Sequence, residues 1–447
     1  MNASKRISFQ VLNLNSILGL RFISGPKRKY PINPDHWKDV PVHEFKQSKS
    51  AYKRLFAWGN AQTGALGIKG IVEKEVMCIR GPKRLSLGEK FEVITAAAGF
   101  GFSVVAVNSD NNVKLYGTGI NTDSQIGYHA IREGHPMEII YYHQPISLPF
   151  RNSNEAKILK LSTGRAHLMV LTNEGIFLLG NNAYGQCGRK IISNENYSKS
   201  NLINYIDRID GNRIIDIECG QDHSMLITEE GSVYSCGWGA DGQTGLGHFN
   251  NCSNFTKVKG DIDKEKITKL ACRADFVLAL NDKGEAFGWG NTEYGQMSLP
   301  SGDQQLATPT NINMLNKLGK IKSIASGGSF CLIATDQGEV FSWGYGVLGL
   351  GPNINLSKKP LKIPEVLFGR NDFQPDSKVI DLVCGVNYAA AVTNFGDMFI
   401  WGRNKSGCLG LGDDNDQYFP FKVSIGGRVE KVFCGFDHTL AVCKPFI

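Results

Sequence analysis

Short apolar runs recur along this chain, and most of them end in a glycine turn, the pattern of short strands in a β-rich protein. Two phrases alternate. The first is a β-patterned run ending near a glycine, with a ring side chain three residues later. It occurs around Gly99, Gly164, Gly220, Arg273, Gly327, Gly385 and Gly435, at a mean spacing of about 56 residues. The second is an apolar strand closed by an aromatic–glycine or similar pair and a glycine-rich turn. It occurs at Trp58-Gly59, Tyr116-Gly117, Leu179-Gly180, Cys236-Gly237, Trp289-Gly290, Trp343-Gly344 and Trp401-Gly402. A further strand, introduced by proline as at Pro360 and Pro420, follows most copies. Each unit therefore holds about four short strands, the content of one propeller blade.

The two phrases are out of step. "FAWGNAQTGALG" from Phe56 has no first phrase before it, and "VEKVFCGFDHTLAVC" from Val429 has no second phrase after it. Pairing these complementary halves in one blade closes a ring and leaves no unpaired sheet edge along the array. An open solenoid would instead require atypical capping repeats. The expected fold is thus all-β: a seven-bladed propeller over residues 55–447, closed by pairing of N-terminal and C-terminal strands. A linker is expected over 35–54 and a leader over 1–34.

Charge sharpens the reading of the leader. Six of the 49 basic residues precede the first acid, Asp35: Lys5, Arg6, Arg21, Lys27, Arg28 and Lys29. The remainder, 43 basic against 42 acidic, is nearly neutral, so the formal +7 is no sign of a general phosphate-binding surface. Ile7, Val11, Leu14 and Leu18 stripe one face of a helix among those cations, the pattern of a mitochondrial presequence. The expected location is the matrix or the matrix face of the inner membrane. No run of 18 apolar residues occurs, so no spanning helix is expected, although peripheral membrane association is compatible with the sequence. The 11 cysteines form no C-x-x-C pair, and Cys219, Cys272, Cys384 and Cys434 recur at one repeat position, which suits reduced core residues rather than disulfides or zinc ligands.

The unit "IIDIECGQDHSMLITEEGSVYSCGWGADGQTGLG" from Ile214 resembles the repeat of the regulator of chromosome condensation family. The resemblance covers Phe56 to Cys443, with departures at Arg273, at Ser298 and in the shortened turn "GYGVLGLG" from Gly344. Together with the leader, the chain is similar to the mitochondrial, exchange-factor-like branch. The resemblance implies a seven-bladed propeller whose loops bind macromolecules. Its founding member exchanges guanine nucleotide on a small GTPase, whereas other members only bind partners, so the fold alone does not assign an activity.

Candidate chemistry is sparse. The ring position holds Phe102, His167, His223, Phe276, Phe330, Tyr388 and His438; by the resemblance, His167 and the pairs Asp222-His223 and Asp437-His438 are candidate partner contacts. The competing reading is that each ring packs between blades, because most of these positions need no titratable group. No nucleophile accompanies the Asp-His pairs, and the G-x-x-x-x-G turns lack the Lys-Ser/Thr of a phosphate loop, so hydrolysis, nucleotide-cofactor binding and metal catalysis are unsupported. Counted from Tyr116-Gly117, the turn "GTGINTDSQIG" carries two extra residues, and in the family's exchange factor a lengthened turn wedges against the GTPase. Gly119, Ile120, Asn121, Thr122 and Asp123 are therefore expected as a wedge. The segments from His129 and Asn353, with Arg132, Lys358, Lys359 and Arg370, are further candidate contacts. Two functions follow: exchange on a mitochondrial GTPase, or a scaffold for rRNA or assembly proteins in mitochondrial ribosome biogenesis, in neither case with covalent chemistry or a cofactor.

Overall fold

The structure, a computed structural model, describes residues 53–68, 76–109, 113–297 and 302–446. The expected leader and nearly all of the expected linker lie outside the described residues. The rest forms seven blades, each an antiparallel sheet, and one small two-stranded sheet of Ala130–Arg132 with His135–Pro136. Blade 3 shows the unit: Asn212–Cys219 innermost, then His223–Thr228, Val233–Gly237 and the outer strand Cys252–Lys257. The other innermost strands are Glu92–Ala98, Ile158–Thr163, Ile267–Cys272, Ile321–Ser326, Val379–Cys384 and Arg428–Cys434.

Blade 7 is shared between the two ends of the sequence. Arg54–Asn60 pairs antiparallel with His438–Lys444, Phe56 opposite Ala441, and Cys78–Arg84 adds the outer strand. Its apolar residues join the cores on both sides: Trp58 and Ala441 pack with Ile400 of blade 6, and Leu55 and Leu440 pack with Val93 and Val105 of blade 1. The out-of-step phrases are this clasp.

The first phrase has a steric cause. The ring at its fourth position folds back over the glycine: a Cβ on Gly220 would lie 1.9 Å from His223 Cε1, and one on Gly164 would lie 2.2 Å from His167 Cε1. No side chain fits there unless the ring moves. The tryptophans of the second phrase lock blade to blade. Trp289 Nε1 donates to Gln243 O at 2.9 Å, Trp343 Nε1 to Gln296 O at 2.8 Å, and Trp58 Nε1 to Cys408 O at 2.8 Å. Trp401 is equally buried, yet its Nε1 has no partner, because the turn it should meet is the shortened one from Gly344. Trp343→Phe is therefore expected to cost about 1 kcal/mol more than Trp401→Phe in urea unfolding, the net worth of one buried hydrogen bond.

Candidate functional site

The meander within each blade brings both kinds of glycine turn to one face. Backbone bonds tie them together there, Trp238 N donating to Asp222 O at 2.9 Å and Asn181 N to Ala166 O at 2.9 Å. Gly119–Asp123, His167, Asp222-His223 and Asp437-His438 lie on this turn face, whereas Arg370 follows Ile363 at the opposite end of its blade.

The wedge is not lengthened. Gly119, not Gly117, pairs with Phe102, just as Gly180 pairs with His167 and Gly237 with His223. From those glycines the turns of blades 1 and 2 have equal length, Gly119–Gly127 against Gly180–Gly188. Tyr116-Gly117 imitated the aromatic–glycine pair two residues early, which is one full β period. Gly119 is held in a fixed, glycine-only conformation. It sits at φ 110°, and a Cβ there would meet Gly101 O at 2.4 Å. Buried Asn121 knits the turn, its Oδ1 accepting from Ile126 N at 3.1 Å and its Nδ2 donating to Gly127 O at 2.9 Å. Ile120 packs over Gly101. Of this stretch Thr122 is exposed, Ile120 and Asp123 are half-buried, and Gly119 and Asn121 are buried.

The histidines are not surface contacts. His167, His223 and His438 are fully buried, and each ring lies against the next blade. His167 Nε2 meets Ser224 Oγ at 3.0 Å, and His438 Nε2 meets Ser103 Oγ at 2.9 Å. At the corresponding place beyond His223 stands Val277, which has no hydroxyl, and both ring nitrogens of His223 are unpartnered. Burial lowers His167 to about 4 and His223 to about 3, so both are neutral at physiological pH.

What the face does present is a set of carboxylates from blades 1, 3 and 4, with Asp222 buried and Asp123, Asp241 and Asp275 half-buried. Asp222 receives Arg165 through Nη2 at 2.7 Å and Nε at 3.2 Å, a two-pronged clamp between blades 2 and 3. Asp123 accepts from Asn181 Nδ2 at 2.7 Å, Asp275 from Gln243 Nε2 at 3.0 Å, and Asp241 from Gln305 Nε2 at 2.6 Å. These groups feel one another. Burial raises Asp222, aided by Asp123 against the opposing pull of Arg165; burial, then Asp241 and Asp222, hold Asp275 up to about 6. In blade 7, Asp437 is buried, accepts from Asn60 Nδ2 at 2.7 Å, and is held below its ordinary value by His438 and Asn60 against burial. Beside the acids stand aromatic pairs, Tyr184 with Trp238 and Tyr294 with Tyr345, whose centroids are 4.6 and 5.2 Å apart. Asp241 and Asp275 escaped the sequence reading. Asp275 precedes a phenylalanine rather than a histidine, but it shares its repeat column with Asp222 and Asp437.

A family model described as the RCC1-like domain matches residues 54–441. The chain belongs to that family. This RCC1-like propeller is 40% identical over 427 residues to the human RCC1-like G exchanging factor-like protein, covering 92% of this chain and 91% of the relative. The mouse protein of the same name is 38% identical, with 96% and 99% covered. The crystal structure of human WBSCR16 superposes with a TM-score of 0.83 at 40% identity, covering 88% of this chain and 100% of that one. Yeast Prp20p, at 17% identity and a TM-score of 0.71, shares the fold.

The candidate contact segments are partly spent internally. Arg370 pairs with Glu365, and Arg132 Nη2 lies 3.0 Å from His135 Nε2.

Proposed function

We propose that this RCC1-like propeller acts in mitochondria as a guanine-nucleotide exchange factor, or exchange-factor-like regulator, that engages a small GTPase through its turn face. The relatives named RCC1-like G exchanging factor-like protein support the class, and the basic, acid-free leader supports the compartment. The observation that carries the reading is the acidic group of half-buried Asp123, Asp241 and Asp275 around buried Asp222. Half-buried Tyr184, Trp238 and Tyr294 and exposed Tyr345 flank it. Exchange needs no bond chemistry. Carboxylates brought to a GTPase's nucleotide site repel the phosphates and compete for the magnesium, which weakens nucleotide binding. The same acids repel an RNA backbone, so rRNA is the poorer partner for this face.

The test is release of a fluorescent guanine nucleotide from a GTPase co-purified with the propeller from mitochondria. The wild type is expected to accelerate release, and Asp123→Asn with Asp241→Asn to reduce the acceleration at least tenfold while thermal melting stays unchanged. No acceleration by the wild type, with rRNA and assembly proteins recovered instead, would favour the scaffold.

A further inference from the structure

The central channel is blind. Three layers of side chains line it, because successive inward positions of the seven innermost strands stack as rings. The layer nearest the turn face is glycine in six blades and Arg273 in blade 4. The Arg273 guanidinium crosses the hole and donates to Cys384 O and Ala98 O, both at 3.3 Å, and to Cys434 O, so it forms a floor. Above it lies a layer of small or apolar side chains: Ala97, Ala271, Ala325, Val383 and Phe433, completed by Ser162 and Glu218. Above that is a charged ring of Thr95, Lys160, Asp216, Lys269, Ser323, Asp381 and Lys431, and the cavity totals about 380 Å³.

The charged ring is paired except at one place. Lys160 Nζ meets Asp216 Oδ1 at 2.7 Å and Glu218 Oε2 at 3.3 Å. Lys269 Nζ meets Asp381 Oδ1 at 3.1 Å, and Ser323 Oγ bonds both partners. Among the described residues Lys431 has no carboxylate of its own. Glu430 beside it is taken by Lys53 at 3.0 Å and Lys444 at 2.6 Å. Lys431 is the exposed member of the ring, its ammonium partly desolvated in the channel. That desolvation and the charge of Lys53 push it below its usual range, against the pull of Glu430 and Asp381. A single anionic group would relieve this, and five of the seven side chains in the layer beneath are apolar, its Glu218 being held by Lys160.

We propose that the blind channel binds a small monocarboxylate, its carboxylate on Lys431 and its short apolar body in the alanine-rich layer above Arg273. The volume lies within the range of small-ligand sites and holds roughly a dozen non-hydrogen atoms at the density of liquid water. A dianion does not suit the ring, since Asp381 and Asp216 already fill the other positions opposite the lysines.

Isothermal titration of the full chain with hexanoate tests this. One-to-one binding is expected, at least tenfold weaker in Lys431→Gln, with no binding of hexylamine. Ala325→Leu, which fills the apolar layer, is expected to abolish hexanoate binding while acetate still competes for Lys431. Absence of hexanoate binding by the wild type overturns the proposal. So does equal binding by Lys431→Gln, which would place the acid on the exposed apolar lip of Leu159, Ile215 and Ile380 instead.

Discussion

Arg273→Ala is expected to lower the unfolding free energy by about 3 kcal/mol, one net hydrogen bond for each of three carbonyls left without their donor. The arginine stands in blade 4, and its acceptors belong to blades 1, 6 and 7, on the far side of the hole. Two of these blades flank the clasp and the third is the clasp. The side chain therefore ties a remote blade to the seam where the two ends of the sequence meet. Arg273→Lys is expected to restore little, because one ammonium on a flexible stem cannot address three diverging carbonyls as a planar guanidinium does. Restoring the family's glycine should cost as much as alanine, since the loss is the guanidinium and not the backbone. Urea midpoints give the energies, and hydrogen exchange locates the effect. Protection along Arg54–Asn60 should fall before that of blade 3. A variant as stable as the wild type would mean that the channel floor bears no load.

The second large effect is acid sensitivity. His167 and His223 are held neutral by burial at about 4 and about 3, below the ordinary histidine value near 6.5. The unfolded chain takes up protons from pH 6.5 downward, whereas the folded chain does so only near the lowered values. Stability is therefore full above pH 6.5 and falls as pH drops toward 4, at about 1.4 kcal/mol per pH unit per histidine. By pH 5 each histidine costs about 2 kcal/mol. Asp275, raised to about 6, works in the opposite sense over this window and returns about 1 kcal/mol. His223→Phe should leave stability at pH 7.5 unchanged or higher, because both of its ring nitrogens lack partners and phenylalanine fills the same position at Phe102, Phe276 and Phe330. At pH 5 it should recover about 2 kcal/mol. His167→Phe, by contrast, should lose about 1 kcal/mol at pH 7.5, since it breaks the bond to Ser224. Urea denaturation of the three proteins at both pH values checks the pattern. An unchanged pH dependence in His223→Phe would show that this ring is not the buried neutral group described.

Several site residues were legible only in part. The ring position was visible from its spacing, but that all three histidines turn inward, and whether each finds a partner there, was not. Ser224 and Ser103 offer a hydroxyl, and Val277 does not. The turn from Gly117 misled because strand periodicity is two. A slip of two residues kept the apolar pattern intact and disguised itself as an insertion, and only the pairing of Gly119 with Phe102 reveals it. Asp241 and Asp275 were legible only by repeat column, Asp241 with Asp123 and Asp275 with Asp222 and Asp437. They matter because successive blades bring their turns side by side.

By itself the sequence determined the unit, its sevenfold count and the shared blade at the seam, because each blade is built from local strand alternation and glycine turns that any window of the chain displays. It also marked Arg273 as the place where a glycine was missing. Tertiary structure alone decided what that arginine does, which carboxylates share a face, and which lysine of the channel lacks a partner. Those facts are relations between blades that lie far apart along the chain, and charge, hydrogen bonding and burial are settled only when the ring brings them within a few ångströms of one another.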